Sequence, residues 1–233
     1  MYFIGIDIGT SSTKTSLFDE RCELIRSYTK SYKTDYPHPG WSEQNPDVWY
    51  EAACEGISAV IKGIETSLVK GIGASGQMHG LVILDSEDRV IRPAILWNDG
   101  RTEDETKFLN EAVGREKLSK LTGNIAYAGF TAPKLLWLKK HEPENFGKIK
   151  KMMLPKDYIN YRLTGVHSSD FSDASGTLLL DVKNRRWSLE MLDICGIADG
   201  QLPSLFESYE CIGEVLPSEA KKLGLPEGVK VAA

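Results

Sequence analysis

Apolar residues alternate at the start of the chain and predict a β-strand over residues 2–8. The segment is rich in β-branched side chains, which is typical of a strand that packs into a core. Because side chains alternate along a strand, Ile4, Ile6 and Ile8 share one face, and Asp7 lies on the other. A carboxylate in a buried strand is costly unless it is paired, and a metal ion is one suitable partner. Asp7 is therefore a candidate metal ligand.

A polar turn follows this strand and leads into a second one, over residues 13–18. The turn offers hydroxyl groups and backbone N–H groups to phosphate oxygens through Gly9, Thr10, Ser11 and Ser12. The unit is strand–turn–strand, and neither GxGxxG nor GxxxxGK[ST], the phosphate loops that open a helix, occurs here. Lys14, just beyond the turn, fits a phosphate contact or a solvated surface lysine equally well. An ordinary hairpin with a solvated aspartate is the alternative interpretation of the whole segment.

The rest of the pattern predicts a mixture of strands and helices. Asn45 and Pro46 have the residue types of a helix start, and the apolar positions between 49 and 64 repeat at helical spacing. Thr102 and Glu105 predict a capping box. Further strands are predicted at 24–32, 70–75, 81–85, 90–97, 152–154, 178–182 and 229–233, and further helices at 102–121, from Pro133 onward, and at 156–163, 188–195 and 218–223.

Composition narrows the class of protein. The chain has 233 residues, 41% hydrophobic and 26% charged, as in globular domains. Its formal net charge of −5 and the lack of a basic run argue against nucleic acid or an anionic membrane as partner. No apolar run is long enough to cross a bilayer. The four cysteines form no CxxC pair and the four histidines lack metal-ligand spacing, so we expect a reduced, cytoplasmic setting.

Two polar loops follow predicted strands and are candidates for ligand binding. Met78 and His79 lie between glycines that let the backbone approach a ligand. Trp97, Asn98 and Asp99 combine an apolar ring with two short polar groups, which suits the C–H faces and hydroxyls of a sugar. A structural histidine and an exposed polar turn are the alternatives at these positions.

Three other charged residues fit more than one role. Arg101 fits a ligand contact and a charge at a helix end equally well. Asp170 and Asp173 lie among serines, where turn and capping roles are favoured over metal binding or acid–base chemistry.

Six segments together resemble the FGGY carbohydrate kinases, and they occur in order along the whole chain. They are DIGTSSTK at 7–14, SGQMHG at 75–80, LWNDGR at 96–101, GFTAPKLLW at 129–137, LPKDY at 154–158 and SDFSDASGT at 169–177. Within the family, the 76–80 loop is similar to that of members acting on ketopentoses.

The resemblance implies an α/β architecture of the ribonuclease-H/actin type, with a mixed β-sheet flanked by helices. Residues 1–233 correspond to the N-terminal, sugar-binding domain, one of the two domains of such a kinase, and the C-terminal nucleotide-binding domain is absent. The expected partners are a small sugar, ATP and the chain's own C-terminal domain, and a homodimer is left open. The expected metal is Mg²⁺.

The resemblance also implies roles for the candidate residues. Asp7 holds the metal, Gly9, Thr10, Ser11, Ser12 and Lys14 meet the phosphates, and Met78, His79, Trp97, Asn98 and Asp99 contact a ketopentose. The catalytic base of the family is an aspartate in a glycine-rich motif directly after a strand like that at 229–233. That motif is missing, so the fragment is expected to be inactive alone.

Three alternatives stay open. A sibling kinase of the same family would phosphorylate another polyol, ketose or sugar acid. An actin-like ATPase would use the first hairpin for nucleotide-driven conformational change. A sugar-binding module without catalysis would use the sugar loops alone.

Overall fold

A computed structural model describes residues 1–233, which form fourteen strands and nine α-helices. The strands are β1 Tyr2–Ile8, β2 Ser12–Asp19, β3 Leu24–Ser31, β4 Glu43–Gln44, β5 Val69–Gly76, β6 Val82–Leu84, β7 Ala94–Ile95, β8 Lys151–Met153, β9 Ser168–Asp170, β10 Leu180–Asp181, β11 Arg186–Trp187, β12 Ser204–Phe206, β13 Cys211–Glu214 and β14 Lys230–Ala232.

The helices lie between and after these strands. They are α1 Pro46–Val60, α2 Glu103–Lys107, α3 Arg115–Thr122, α4 Thr131–His141, α5 Pro143–Lys148, α6 Pro155–Thr164, α7 Phe171–Ser175, α8 Leu189–Cys195 and α9 Pro217–Leu223. A π-helical segment, Phe108–Gly114, joins α2 to α3. None of the helices combines the length and apolar character that a bilayer crossing requires.

The central sheet has six strands in the order β13-β14-β5-β1-β2-β3. Strands β1, β2 and β3 form an antiparallel meander. Strand β5 pairs parallel to β1, and β14 pairs parallel to β5. The sheet is therefore mixed, with helices packed against it, as the resemblance implies.

One face of the sheet builds the larger of two apolar cores. Ile4, Ile6 and Ile8 point to this face and pack with Trp49 and Ile57 of α1. Helix α1 begins as predicted, because the Asn45 side chain accepts a hydrogen bond from the backbone N–H of Asp47 and Pro46 occupies the first turn. The second core lies around α4 and α8 and contains Leu135, Leu138 and Met191.

The other face of β1 is open, and this corrects the environment expected for Asp7. Phe3 and Asp7 are exposed on it, so the Asp7 carboxylate is solvated rather than buried in the strand. The alternation of side chains was predicted correctly. The prediction that both faces of the strand are buried was wrong, because no element of this chain covers the second face.

Several predicted boundaries also differ from the structure. The strand predicted at 90–97 is reduced to Ala94–Ile95, because Pro93 has no backbone N–H to donate to a neighbouring strand. The capping box at Thr102 does not form: its hydroxyl donates instead to the carbonyl of Ala128 at 2.8 Å. The end of α6 is as predicted, since Gly165 adopts a left-handed conformation with φ of 74°.

Candidate active site

The turn between β1 and β2 is a closed, well-braced loop. The Gly9 N–H donates to the carbonyl of Ser12 at 2.9 Å, and the Tyr32 hydroxyl donates to the carbonyl of Gly9 at 2.6 Å. Thr10 and Ser12 are half-buried, whereas Ser11 is exposed. The turn therefore has a fixed shape while part of its polar surface stays available to a ligand.

Asp7 and Lys14 lie opposite each other on the open face of this hairpin. They are cross-strand partners in the register of β1 and β2, and both side chains are exposed. Neither side chain makes a hydrogen bond or an ion pair within the chain. They line an open cavity of about 390 Å³ that also reaches Ser75 of β5. A carboxylate and an ammonium group without protein partners are thus presented at the edge of the phosphate-loop candidate.

A larger surface cavity, of about 540 Å³, is lined by Asp88 and Arg162 and contains none of the predicted site residues. The predicted site residues therefore lie away from this larger cavity, on the hairpin and the loops beside it.

Gln44 joins the hairpin to the loop that carries Met78 and His79. Its side-chain amide is buried and donates to the carbonyl of Thr10 at 2.7 Å. Its amide oxygen accepts from the side chains of Trp49, at 2.9 Å, and Gln77, at 3.1 Å. One glutamine thus holds two segments of the candidate site in a fixed relation.

The 76–80 loop presents one exposed and one half-buried side chain. Met78 is 52% exposed. His79 has φ of 64°, which is uncommon for a residue with a β-carbon, and its ring lies 4.6 Å from that of Phe130. Burial and the neighbouring Lys134 hold the pKa of His79 below its ordinary value, so the imidazole is neutral at pH 7.

The loop at the end of β7 places Trp97 and Asn98 on the surface. Trp97 is 47% exposed, and its indole N–H donates to the Thr10 hydroxyl at 3.0 Å. Asn98 is exposed. This hydrogen bond directly connects Trp97, which is predicted to contact a sugar, with Thr10, which is predicted to contact phosphate.

Asp99 faces the interior, unlike its two neighbours. Its side chain is 0% exposed and forms an ion pair with Arg101 at 2.7 Å. Its oxygens also accept from the backbone N–H groups of Ser42, at 2.6 Å, and Arg101, at 2.9 Å. The prediction that Asp99 contacts the sugar does not fit this geometry, because the carboxylate is fully engaged in holding its own loop.

Arg101 is a buried structural residue rather than a charge at a helix end. Its guanidinium lies 3.7 Å from the ring centre of Trp41 and pairs with Glu43 at 2.7 Å. A planar cation that stacks and pairs in this way fixes the loop around Asp99.

Lys134 is a buried lysine that the sequence reasoning did not single out. It is 0% exposed, and its Nζ donates to the carbonyls of His79 and Gly129, both at 2.7 Å. Burial lowers the pKa of Lys134 to about 7. The sequence does contain an indication of this burial, because Lys134 lies one helical turn before Leu138, on the apolar side of α4.

Asp170 has the capping role that its neighbours indicate. Its carboxylate accepts from the backbone N–H of Ser172 at 2.8 Å, at the start of α7, and pairs with the buried Lys156 at 2.8 Å. Asp173 makes no such bond. Burial, together with the nearby Asp157 charge, raises the pKa of Asp173 to about 6.

The arrangement connects the hairpin to the two adjoining loops through the Gln44 side chain and through the bond between Trp97 and Thr10. An acidic and a basic group flank a polar turn, and a neutral imidazole, a thioether and an indole lie on adjoining loops. Such a surface has the groups to bind an anion next to a polyhydroxylated molecule. No three acidic, histidine or cysteine side chains lie close enough to bind a metal ion by themselves.

Comparison with known proteins gives consistent relatives. Residues 2–233 match the model of the FGGY family of carbohydrate kinases, N-terminal domain. A xylulose kinase of Escherichia coli (strain K12) is 47% identical over 225 residues, which are 96% of this chain and 46% of the relative. The chain spans about half the length of the curated relatives it matches.

Solved structures extend this likeness. A xylulose kinase from Brucella ovis superposes with a TM-score of 0.95 at 43% identity, over 100% of this chain and 48% of the other. A gluconate kinase from Lactobacillus acidophilus gives a TM-score of 0.94 at 31% identity, over 99% of this chain and 47% of the other.

These neighbours are sugar kinases of the actin-like, ribonuclease-H-like fold, and the mixed sheet agrees with that architecture. The chain therefore belongs to the FGGY family of carbohydrate kinases, and residues 2–233 match that family's N-terminal domain.

Proposed function

We propose that the protein containing this chain transfers a phosphoryl group from ATP to D-xylulose, giving D-xylulose 5-phosphate. The observation that carries the proposal is the 3.0 Å hydrogen bond between the Trp97 indole and the Thr10 hydroxyl. It joins the sugar loops to the phosphate hairpin, as a transfer between two bound substrates requires. The 47% identity to a xylulose kinase supports the choice of sugar.

The hairpin has the role of holding the transferring phosphate. The backbone and hydroxyls of Gly9, Thr10, Ser11 and Ser12 face its oxygens, and Lys14 adds a positive charge. Asp7 fits a Mg²⁺ ion because its carboxylate is exposed and free of protein partners. Mg²⁺ keeps several of its waters and needs only one or two carboxylates besides phosphate. When bound, the ion neutralises charge that develops on the phosphate oxygens.

The adjoining loops have the role of holding the sugar. Met78 and Trp97 offer apolar surface to its C–H faces, and Asn98 offers an amide to its hydroxyls. His79 is neutral and therefore both donates and accepts hydrogen bonds. We assign Asp99 to positioning the loop, since its carboxylate is occupied by Arg101.

Proton removal from the sugar hydroxyl requires a base, and neither Asp99 nor Asp170 is free to act as one. Asp99 is buried and paired, and Asp170 caps a helix and pairs with Lys156. We assign this step to an aspartate in the remaining half of the protein, as the family resemblance implies. Residues 1–233 alone are then inactive, and the complete enzyme acts in the cytoplasm, where ATP is supplied.

A coupled assay of ADP release by the full-length protein tests the proposal with a set of candidate sugars. We expect D-xylulose to give a kcat/KM at least about tenfold above L-ribulose, glycerol and gluconate, since each difference of 1.4 kcal/mol in transition-state binding is tenfold in rate. The structural likeness to a gluconate kinase makes gluconate the informative competitor. A higher kcat/KM for gluconate would assign the protein to the sibling activity instead.

A further inference from the structure

Lys134 is buried without a carboxylate partner, yet its Nζ is satisfied. No acidic group lies within ion-pair distance of it. Its two hydrogen bonds go to backbone carbonyls of two different loops, those of His79 and Gly129, at 2.7 Å each. A lysine is almost never fully buried unless an acidic group pairs with it. Burial of the Lys134 ammonium group therefore lowers the stability of the folded protein.

The first carbonyl belongs to a backbone in an unfavourable conformation. His79 has φ of 64°, and a residue with a β-carbon in that region is strained by roughly 1 kcal/mol or more. Two side chains of α4 donate to its carbonyl: Lys134 at 2.7 Å and Thr131 at 3.2 Å. These bonds hold the 76–80 loop in the conformation that presents the imidazole.

The second carbonyl belongs to a glycine packed against Trp97. A β-carbon on Gly129 would lie 2.4 Å from the carbonyl oxygen of Trp97, so the two backbones are in close contact. A shift of Gly129 would therefore move the segment that carries the indole. Lys134 is the one side chain that bonds to both the His79 loop and the Gly129 segment.

We propose that Lys134 is a positioning residue of the sugar site, which acts on sugar affinity by fixing the backbones that carry His79 and Trp97. The proposal rests on the proposed function for the identity of the ligand. Its side chain lies beneath the loops and does not touch the sugar. The phosphate hairpin receives no direct bond from Lys134 and is linked to these loops through the bond between Trp97 and Thr10, so we expect a smaller effect on nucleotide binding than on sugar binding.

The first test is Lys134→Met in the full-length protein, with Lys139→Met as control. Methionine keeps the aliphatic bulk and removes the donors, and Lys139 lies exposed on the same helix. We expect the KM for D-xylulose to rise about tenfold, since a buried carbonyl left without its donor costs about 1–3 kcal/mol. The KM for ATP should stay within about twofold, and Lys139→Met should match the unmodified enzyme.

A folded Lys134→Met enzyme with an unchanged sugar KM would overturn the proposal. An equal rise in the KM values for sugar and ATP would also overturn it, because that result indicates a general loss of structure.

Thr131→Val keeps the test decisive if Lys134→Met does not fold. Valine has the shape of threonine but cannot donate to the His79 carbonyl. We expect a smaller rise in sugar KM, about threefold, for the loss of a single hydrogen bond. Where Lys134→Met does fold, the double variant should also deviate from additivity, because both donors share one acceptor. An unchanged sugar KM in Thr131→Val, or strict additivity, would contradict the shared role.

Amide hydrogen exchange separates this proposal from the proposed function. We expect exchange at residues 77–81 to be at least about fivefold faster in Lys134→Met than in Lys139→Met, with no change in β1 and β2. This readout needs no substrate, so it holds if the protein phosphorylates none of the sugars tested. Equal exchange in the two variants would show that Lys134 does not hold the loop.

Discussion

His79 shows how tightly one candidate side chain is confined. Its ring lies against Phe130 on one side and against Gly176 on the other, where a β-carbon would sit 2.4 Å from His79 Cε1. Its carbonyl is held from below by Lys134. The position of the imidazole therefore depends on the absence of a single methyl group at residue 176.

Gly176→Ala is expected to weaken sugar binding, because the added methyl group must displace the imidazole. Overpacking of this kind costs about 1–3 kcal/mol, so we expect the Kd for D-xylulose in the full-length protein to rise about tenfold by calorimetry. Gly200→Ala is the control, since no atom lies within 4 Å of the β-carbon there. A wild-type Kd in Gly176→Ala would exclude His79 from the sugar site.

Asp7→Asn is expected to reduce turnover without loss of sugar affinity. The exposed carboxylate is replaced by an amide of the same size, and charge stabilisation at the phosphate is lost. Removal of such a group costs about 100-fold or more in kcat, while the sugar KM should stay within about threefold. Steady-state kinetics of the complete enzyme check this, with Asp104→Asn, an exposed aspartate on α2, as control. Unchanged turnover would remove Asp7 from the mechanism.

Lys134 makes stability depend on pH in a specific window. Burial lowers its pKa to about 7, whereas the unfolded chain keeps the ordinary value of about 10.4. Between these values the unfolded state binds more protons, so stability rises with pH by up to about 1.4 kcal/mol per pH unit from this group. Below pH 7 the contribution is flat.

Urea unfolding of the wild type and Lys134→Met at pH 6 to 10 measures that dependence. The difference in unfolding free energy should shift in favour of the wild type as the pH rises above 7. A constant difference across the range would mean that Lys134 stays charged in the folded state.

At the scale of residues, the sequence indicates candidate site residues but not the environment of each side chain. Sequence reasoning selected Asp7, Met78 and Trp97, whose side chains are exposed, and His79, which is half-buried, and their roles stay predictions. It did not distinguish exposed Asn98 from buried Asp99, because that difference depends on Arg101 folding back onto the loop. Such contacts depend on tertiary packing and leave no mark in local spacing.

At the scale of elements, the contact between α1 and β2 depends on a small residue. A β-carbon on Gly56 would lie 2.2 Å from the Thr15 hydroxyl oxygen, and Gly56 is buried in the helix. The helix therefore packs close to the sheet behind the phosphate hairpin.

Gly56→Ala is expected to destabilise the protein by about 1–3 kcal/mol, because α1 must move away from β2. Gly147→Ala in α5 is the matched control: its β-carbon meets no atom within 4 Å, so alanine should stabilise by about 0.5–1 kcal/mol. Thermal unfolding of both variants distinguishes them. Equal shifts would mean that the packing of α1 adjusts without cost.

Long periodic elements were predicted well, and short ones were not. Strands β1, β2, β3 and β5 and helix α1 agree with the predicted positions to within one to four residues at each end. The strand predicted at 178–182 is only Leu180–Asp181, since Leu178 takes a left-handed conformation with φ of 63°. A two-residue strand forms because a segment distant in sequence pairs with it. The local periodicity of apolar residues does not indicate such a pairing.

At the scale of the whole molecule, we propose that the candidate site forms one side of a cleft. The chain spans about half the length of its curated relatives, and the face that carries Asp7 is open. A sugar bound to these loops alone stays solvated on the opposite side. A second domain that faces these loops is an expectation from the family resemblance, since local patterns along residues 1–233 do not indicate it.

Residues 1–233 alone are expected to bind D-xylulose weakly. Closure of a second domain would add contacts and exclude water, so we expect the isolated chain to have a Kd at least about tenfold above that of the full-length protein. Calorimetry on both proteins measures the ratio. Equal affinities would place all of the sugar contacts within this half.

The indole of Trp97 gives the protein an intrinsic optical reporter. No other tryptophan is among its exposed large apolar side chains, so a dissolved quencher such as acrylamide acts mainly on this one. A sugar lying against the ring shields it from collisions, and a phosphate that draws the Thr10 hydroxyl away changes the polarity around the indole N–H. Occupancy of either substrate can therefore be followed by emission intensity and wavelength in unlabelled protein, on the millisecond scale of a stopped-flow experiment.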